Sequence, residues 1–406
     1  MDSTFTLKKT ALLPLLLLFI LPGHPSAQET LTINKAIAHV LEQNGGIQAA
    51  LKEQAATRHG LRQAARLPNP ELEVETENLG DATTSLKLSQ PVELGGKRKA
   101  RVRMARADSL KAFAELETRR AAIIAETHRR FYKALSHQKQ IEQLDSLILF
   151  AESIKTNIEK QVEIGRSGKT ELLRSMKDIT LLRIEQNTLV REYENSIIAL
   201  GALWGAGKNS IQGVSGELQT SRRSAIRDSL ETYVEQSPLL HAALAEIEAA
   251  IAQENASRAQ GVPEFSIKGG YARDAGAGDN LYSLGATVGL PLFNRNKDAV
   301  AAAINRTGAA GKKADELRNE LYARLMQSLG QIDQLEFKAT ELKERVIPQT
   351  GEVLVELRRL FEAGKSGYVE LITTQRELVD AWRDYLTTET EIRLALADII
   401  ELTGQQ

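Results

Sequence analysis

The chain has 406 residues, 52 Lys and Arg against 53 Asp and Glu, and no cysteine. A formal net charge of −1 removes the basic excess a nucleic-acid binder needs. The absence of cysteine excludes a disulfide framework, a thiolate metal site, a cysteine nucleophile and a lipid-modified N-terminal cysteine. The length exceeds one ordinary hydrophobic core, so two domains, a repeat or an elongated body is expected. Charged residues at 26% with aromatics at 5% point to long helices.

In chain order, Lys8 and Lys9 precede an apolar run from Ala11 to Leu21, followed by Pro22, Gly23 and small residues to Ala27. This is the pattern of a secretory signal peptide, residues 1–27, and its apolar run is too short to span a bilayer as a helix.

The remainder repeats. Glu163-Ile-Gly-Arg-Ser-Gly-Lys-Thr-Glu-Leu-Leu173 matches Glu362-Ala-Gly-Lys-Ser-Gly-Tyr-Val-Glu-Leu-Ile372 at six of eleven positions, 199 residues on. Leu203 and Gly205 align with Leu402 and Gly404 at the same offset, Pro91 with Pro291, and Glu42-Gln43 and Pro70-Glu71 with Glu235-Gln236 and Pro263-Glu264. The expected organisation is a first repeat over 28–205, a linker over 206–225 and a second repeat over 226–406.

Each repeat reads as helix, helix, two strands, long helix, long helix. Thr32 is placed to cap a short helix ending near Asn44, where Gly45-Gly46 breaks it, and a second helix runs from about Ile47 to Leu67 before Pro68. Ser237-Pro238 supplies the cap and first position of its counterpart. After Pro70 the pattern changes to period two: Leu72, Val74 and Thr76 alternate with Glu71, Glu73, Glu75 and Glu77. Residues 86–90, 264–271 and 282–290 alternate likewise, giving four one-sided strands. A half-buried antiparallel sheet accounts for the same alternation.

Gly95-Gly96 lacks the spacing of a phosphate loop and reads as a strand-to-helix corner. A helix then runs to about Ile164, on the order of 100 Å. Ile141, Leu144, Ile148, Ala151, Ile154, Ile158 and Val162 recur at the coiled-coil period. Leu172, Met176, Ile179, Leu182, Tyr193, Ile197 and Leu200 form the return seam, and Leu325, Ile332, Leu335, Ala339, Leu342 and Val346 the seam of the second repeat. Pro348 is expected to kink or break its helix. Four strands cannot close a barrel, but three chains supply twelve. The expected class is mainly α with a small β part: long coiled-coil hairpins and four strands per protomer, trimerising into a twelve-strand barrel and a helical tunnel.

The signal peptide, the tandem halves and the Gly-x-Ser-Gly-x-x-Glu-Leu turn resemble the TolC family of outer-membrane efflux proteins over nearly the whole mature chain. Leu88-Ser-Gln-Pro-Val-Glu-Leu-Gly-Gly-Lys-Arg98, after Asn69-Pro-Glu-Leu72, is similar to the CzcC-like branch that serves heavy-metal exporters of the resistance-nodulation-division (RND) type. The resemblance implies a passive outer-membrane conduit of a tripartite system, reaching into the periplasm, with a periplasmic adaptor and an inner-membrane RND pump as partners. It implies that Gly165, Arg166, Ser167 and Gly168, with Gly364, Lys365, Ser366 and Gly367, form the periplasmic tip that meets the adaptor. Glu171 and Glu370 become aperture acids, with Ser167 or Ser366 capping the returning helix. A plain hairpin loop needs nothing more than the same glycines. The chain stops almost at the end of its second repeat, leaving little for an equatorial collar.

If the apolar strand face meets lipid, Glu71, Glu73, Glu75 and Glu77 face the lumen, with Lys87 and Lys268 neutralising part of the charge. Merely keeping an exposed strand soluble is the alternative role for these acids. No cofactor and no catalytic or metal site is expected: His128 and His137 are nine residues apart, unlike an i, i+4 metal pair. Asn305-Arg-Thr307 matches a glycosylation triplet inside a helical run. Multidrug efflux or type I secretion on the same fold, and a periplasmic coiled-coil adaptor without a pore, are the competing functions.

Overall fold

The computed structural model describes residues 30–77, 83–207, 210–219, 229–274 and 278–405. The signal segment 1–27 and part of the linker lie outside them. The helices are α1 (Ile33–Gln43), α2 (Gly45–Ala64), α3 (Lys97–Glu163), α4 (Lys169–Gly201), α5 (Leu230–Glu235), α6 (Pro238–Gln260), α7 (Lys297–Glu341), α8 (Ile347–Glu362) and α9 (Tyr368–Thr403). The strands are β1 (Glu71–Glu77), β2 (Thr83–Val92), β3 (Phe265–Asp274) and β4 (Asn280–Val288). No described helix is long and apolar enough to cross a membrane.

α3 is the spine. Over its first half it packs against α2 and α6, with α7 beyond α6; over its second half it lies between α4 and α9, with α7 and α8 beyond α9. One layer of antiparallel helices results, with α2 and α4 at one edge and α7 and α8 at the other. The seam of α3 follows the 3.5-residue period: Leu144, Ile148, Ala151, Ile154 and Ile158 are buried.

Several expectations need correction. Asn44, not the glycine pair, ends α1; its side-chain oxygen accepts from the Ile47 amide, so Gly45 and Gly46 form the first turn of α2. α2 stops at Ala64, before Leu67, because Arg98 and Arg101 take the carbonyls of Ala64, Ala65 and Arg66, satisfying acceptors a helix end leaves unpaired. On α4, Met176 is exposed while Ser175, Asp178 and Ile179 are buried. The Pro348 region does not break the helix. A π-helical turn, Leu342–Val346, precedes it, and the wider turn shifts the phase, so that Val346 is exposed and Ile347 buried.

The middle of the layer holds the largest apolar cluster. Phe131 and Leu135 of α3 meet Val40 of α1, Leu200 of α4, Val234 of α5, Leu325 of α7 and Leu402 of α9, and the linker adds Val214 and Leu218. Little is expected there for an equatorial collar, yet α1, α5 and the described linker residues pack on the middle of the helical layer. The linker is tied by Leu31 N to Gly213 O and Ser215 N to Leu31 O, each 2.9 Å. Arg393 donates to the carbonyls of Glu217, Leu218 and Gln219 and stacks over Tyr132. Two equivalent bonds pin each pair of helices: Asn44 Nδ2 to Leu203 O and Ser237 Oγ to Leu402 O, each 2.6 Å. Ser237 thus holds a neighbouring helix end rather than capping α6 with its side chain.

The sheet has the order β1-β2-β3-β4, antiparallel throughout. The register places Glu73 opposite Lys87, Lys87 opposite Gly270 and Gly270 opposite Ser283. Glutamates, lysines, serines and glycines therefore share one face. Leu72, Val74, Leu86, Leu88, Ile267, Tyr271, Tyr282 and Leu284 share the other. On the central strands the polar face is the more enclosed, whereas Leu284 is 87% exposed. Among the described residues, one edge of β1 and one of β4 lack a strand neighbour.

Candidate functional site: two turns, a hairpin link and an acidic strand face

At the first turn, α3 ends at Glu163 and Gly165 takes φ 71°; the Arg166 amide then reaches back to Gln161 O at 2.8 Å. At the second, Gly364 takes φ 71° and the Lys365 amide reaches Leu360 O at 2.8 Å. These are matching glycine-terminated helix ends. A Cβ at either glycine meets no atom within 4 Å, so the requirement there is the left-handed backbone, not space.

The other glycine of each turn has a different role. Gly168 (φ −87°, ψ 146°) and Gly367 (φ −91°, ψ 157°) are the N-cap residues of α4 and α9. The expected serine caps are absent: Ser167 Oγ donates to the Glu171 carboxylate, and Ser366 Oγ donates to Leu357 O at 3.3 Å. Each serine lies before the N-cap position, so its hydroxyl turns to the nearest strong acceptor. Arg166, Lys365 and Glu370 are exposed, and Glu171 is half-buried. Ile154, Ile158, Leu357, Phe361, Tyr368 and Leu371 pack together behind the turns and hold both at one end of the molecule.

A link between the hairpins lies where the two repeats diverge. Where the first turn has Lys169, the second has Tyr368. Tyr368 is buried and its hydroxyl donates to Asp178 Oδ2 of α4 at 3.0 Å. Burial, then the neighbouring Asp178 charge and its hydrogen bond, push the Tyr368 phenol far above its ordinary range. Lys177 Nζ lies 3.2 Å from the other Asp178 oxygen. Further along, Arg383 of α9 pairs with Glu185 of α4. The departure from the repeat at Lys169/Tyr368 was the available signal.

At the opposite end, Glu71, Glu73, Glu75 and Glu77 line one strand face. Lys87 Nζ binds Glu75 Oε2 at 2.7 Å; the other three form no ion pair among the described residues. Gly270 makes room for this lysine, since a Cβ there falls 2.7 Å from Ser283 Oγ and 3.1 Å from Lys87 Cγ. Lys268 lies in the row of Ser89 and Glu71. The four acids and the turn residues are thus at opposite ends of the molecule and form two separate sites.

The chain matches the profile of the family described as outer membrane efflux protein over residues 36–206 and 230–405. It is similar to the cobalt-zinc-cadmium resistance protein CzcC of Cupriavidus metallidurans, with 26% identity covering 92% of this chain and 90% of that one. It is also similar to the nickel-cobalt-cadmium resistance protein NccC of Alcaligenes xylosoxydans, with 25% identity covering 84% and 79%. Among solved structures, the outer membrane protein VceC of Vibrio cholerae superposes with a TM-score of 0.77 at 16% identity, over 92% of this chain and 97% of that one. CusC superposes with a TM-score of 0.75 at 17% identity, over 91% of each. The one-sided sheet, the long helix pairs and the family match over both halves together place this chain in the outer membrane efflux protein family, as an outer-membrane channel protein that extends into the periplasm.

Proposed function

We propose that three copies of this chain close a twelve-strand barrel continuous with a helical tunnel, and that the assembly passively conducts heavy-metal cations out of the cell. An RND pump in the inner membrane drives export, and a periplasmic adaptor docks at the turns around Gly165 and Gly364. The carrying observation is the one-sided sheet: its apolar face is exposed, its acids share the face that the central strands β2 and β3 enclose more, and its two edges are open among the described residues.

An open β1 edge and an open β4 edge call for each other in a neighbouring copy. The helical layer repeats this demand. α4 exposes Leu173 and Ile184 at one edge, and α7 exposes Tyr322, Met326 and Phe337 at the other. Residues 28–205 and 226–406 act as two repeats, so three copies give six near-equivalent hairpins around the tunnel. Glu171 and Glu370 line its narrow end.

Carboxylates around a wet lumen concentrate cations. The names of the curated relatives, which specify cobalt, zinc, cadmium and nickel resistance, agree with that sign. Drug efflux and type I secretion use the same architecture, but the acid ladder favours cations. An adaptor without a pore leaves the exposed apolar strand face unexplained.

The test is reversal potential across a salt gradient in a planar bilayer. Wild type selects cations, and Glu73→Lys with Glu75→Lys weakens or reverses the preference. An anion-selective wild type, or unaltered selectivity in the double variant, overturns the lumen assignment. A detergent-solubilised particle with the mass of a monomer or dimer overturns the trimer.

A further inference from the structure

On the membrane reading above, we propose that the strand-to-helix corners form a belt that binds the headgroups of anionic phospholipids in the periplasmic leaflet. The apolar strand face does not stop at the end of the sheet. Exposed apolar side chains follow both strands: Leu94 two residues after β2, and Leu290 and Leu292 after β4, where the Leu292 amide bonds to Leu290 O at 2.9 Å and the chain turns. Leu290 and Leu292 are exposed, and Phe293 is 100% exposed. No contact within the chain accounts for a fully exposed phenylalanine at a bend; the lipid interface does, since it takes an aromatic ring at headgroup depth.

Cations surround this apolar rim. Arg66, Lys99, Arg295 and Lys297 are exposed, and none forms an ion pair among the described residues. Their neighbours are engaged: Arg98 and Arg101 hold the end of α2, and Lys97 Nζ approaches Glu264 at 3.8 Å. The cations that organise the corner are therefore distinct from those that remain available. α3 and α7 also begin here, at caps Gly96 and Asn296 that make no side-chain cap bond, so two helix N-termini add partial positive charge.

Apolar anchors followed within a few residues by unpaired cations match a bilayer surface of negative charge. The belt lies where the helices leave the sheet, at the opposite end of the strands from the pairs Glu77–Thr83 and Arg273–Asn280. With the helices in the periplasm, it meets the periplasmic leaflet.

The experiment uses the full-length trimer in vesicles, with Phe293→Trp as a fluorescent belt reporter against brominated phosphatidylglycerol or brominated phosphatidylethanolamine. The native Trp204 and Trp382 lie in the helical body and supply an unquenched background. Leu284→Trp, on the lipid-facing strand surface, is the control reporter. Both reporters are expected to be quenched. The belt reporter shows a preference of at least ~threefold for the anionic lipid that fades in high salt, and the control reporter shows little preference. Neutralising Arg66, Lys99, Arg295 and Lys297 to Gln brings the preference of the belt reporter to about one, while quenching of the control reporter shows that this variant still inserts. Equal quenching of the belt reporter by both lipids, or none while the control reporter is quenched, overturns the belt and leaves the channel standing. Failure of the control reporter to be quenched by either lipid overturns the membrane reading as well.

Discussion

Replacing Tyr368 by Phe removes one hydroxyl and almost nothing else, and so isolates the link between the two hairpins. The ring stays in the apolar cluster behind the turns, but Asp178 Oδ2 loses its 3.0 Å donor. A hydrogen bond to a charged acceptor contributes about 1.5–3 kcal/mol. Lys177 remains 3.2 Å from the other oxygen and keeps the carboxylate partly satisfied, which favours the lower part of that range. At about 1.5–2 kcal/mol, the balance between joined and separated hairpins shifts roughly 10–30-fold. Single-channel recording of the trimer reads this as more frequent or longer high-conductance openings, with the barrel unaffected. Asp178→Asn produces a similar change, and the double variant is less than additive because both substitutions remove one contact. Wild-type conductance in Tyr368→Phe, or full additivity in the cycle, refutes a joint role in holding the hairpins together.

Gly364→Val forces a β-branched residue to φ 71°, costing about 1–2 kcal/mol locally. Export and adaptor crosslinking from Ser366 fall while the trimer persists; retained export refutes tip docking. Leu284→Lys lowers barrel stability by about 2–4 kcal/mol if it lies near the bilayer midplane, whereas Ser283→Lys is tolerated; equal tolerance in a refolding titration reverses the face assignment. Burial, then the Arg393 guanidinium, pulls the His128 imidazole down to about 4 from its ordinary 6.5. The unfolded chain takes up this proton first, so stability falls as pH drops from about 6.5 towards about 4, by ~1–2 kcal/mol after allowing for solvent reaching the ring. Melting at pH 7.5 and pH 5 shows a smaller difference in His128→Leu; an equal difference refutes the assignment.

Period and punctuation made much of this fold legible. Alternation over Glu71–Glu77 fixes two opposite faces, and the observed register carries them across all four strands. The 3.5-residue spacing from Leu144 to Ile158 predicts the buried seam of α3. What was not legible depends on residues distant in the chain. The arginine termination of α2 spans more than 30 residues. The central cluster needs Val214 and Leu218 of a polar linker to meet α3, and no local pattern announces that. Met176 and Val346 satisfied the heptad and are exposed nonetheless. A period marks a stripe one residue wide, whereas burial in this layer depends on how many neighbours a helix has and on where the π-turn resets its phase.

The two turns share φ 71° at Gly165 and Gly364, so the repeat preserves the backbone reversal while the side-chain contacts around it differ. The differences lie beside it. The first half reaches its turn on one α-helix, α3, whereas the second reaches it through α7, the π-turn and α8 in one unbroken helical run that includes Pro348. A π-turn and a proline weaken the backbone ladder at that point, so bending of the second hairpin is expected to concentrate there. Tyr368 replaces Lys169 in the same hairpin, and its bond to Asp178 ties α9 across α3 to α4. The half with the more deformable entry is thus also the half that carries the restraint. Removing the restraint frees the second hairpin, while the first remains held along its unbroken seam.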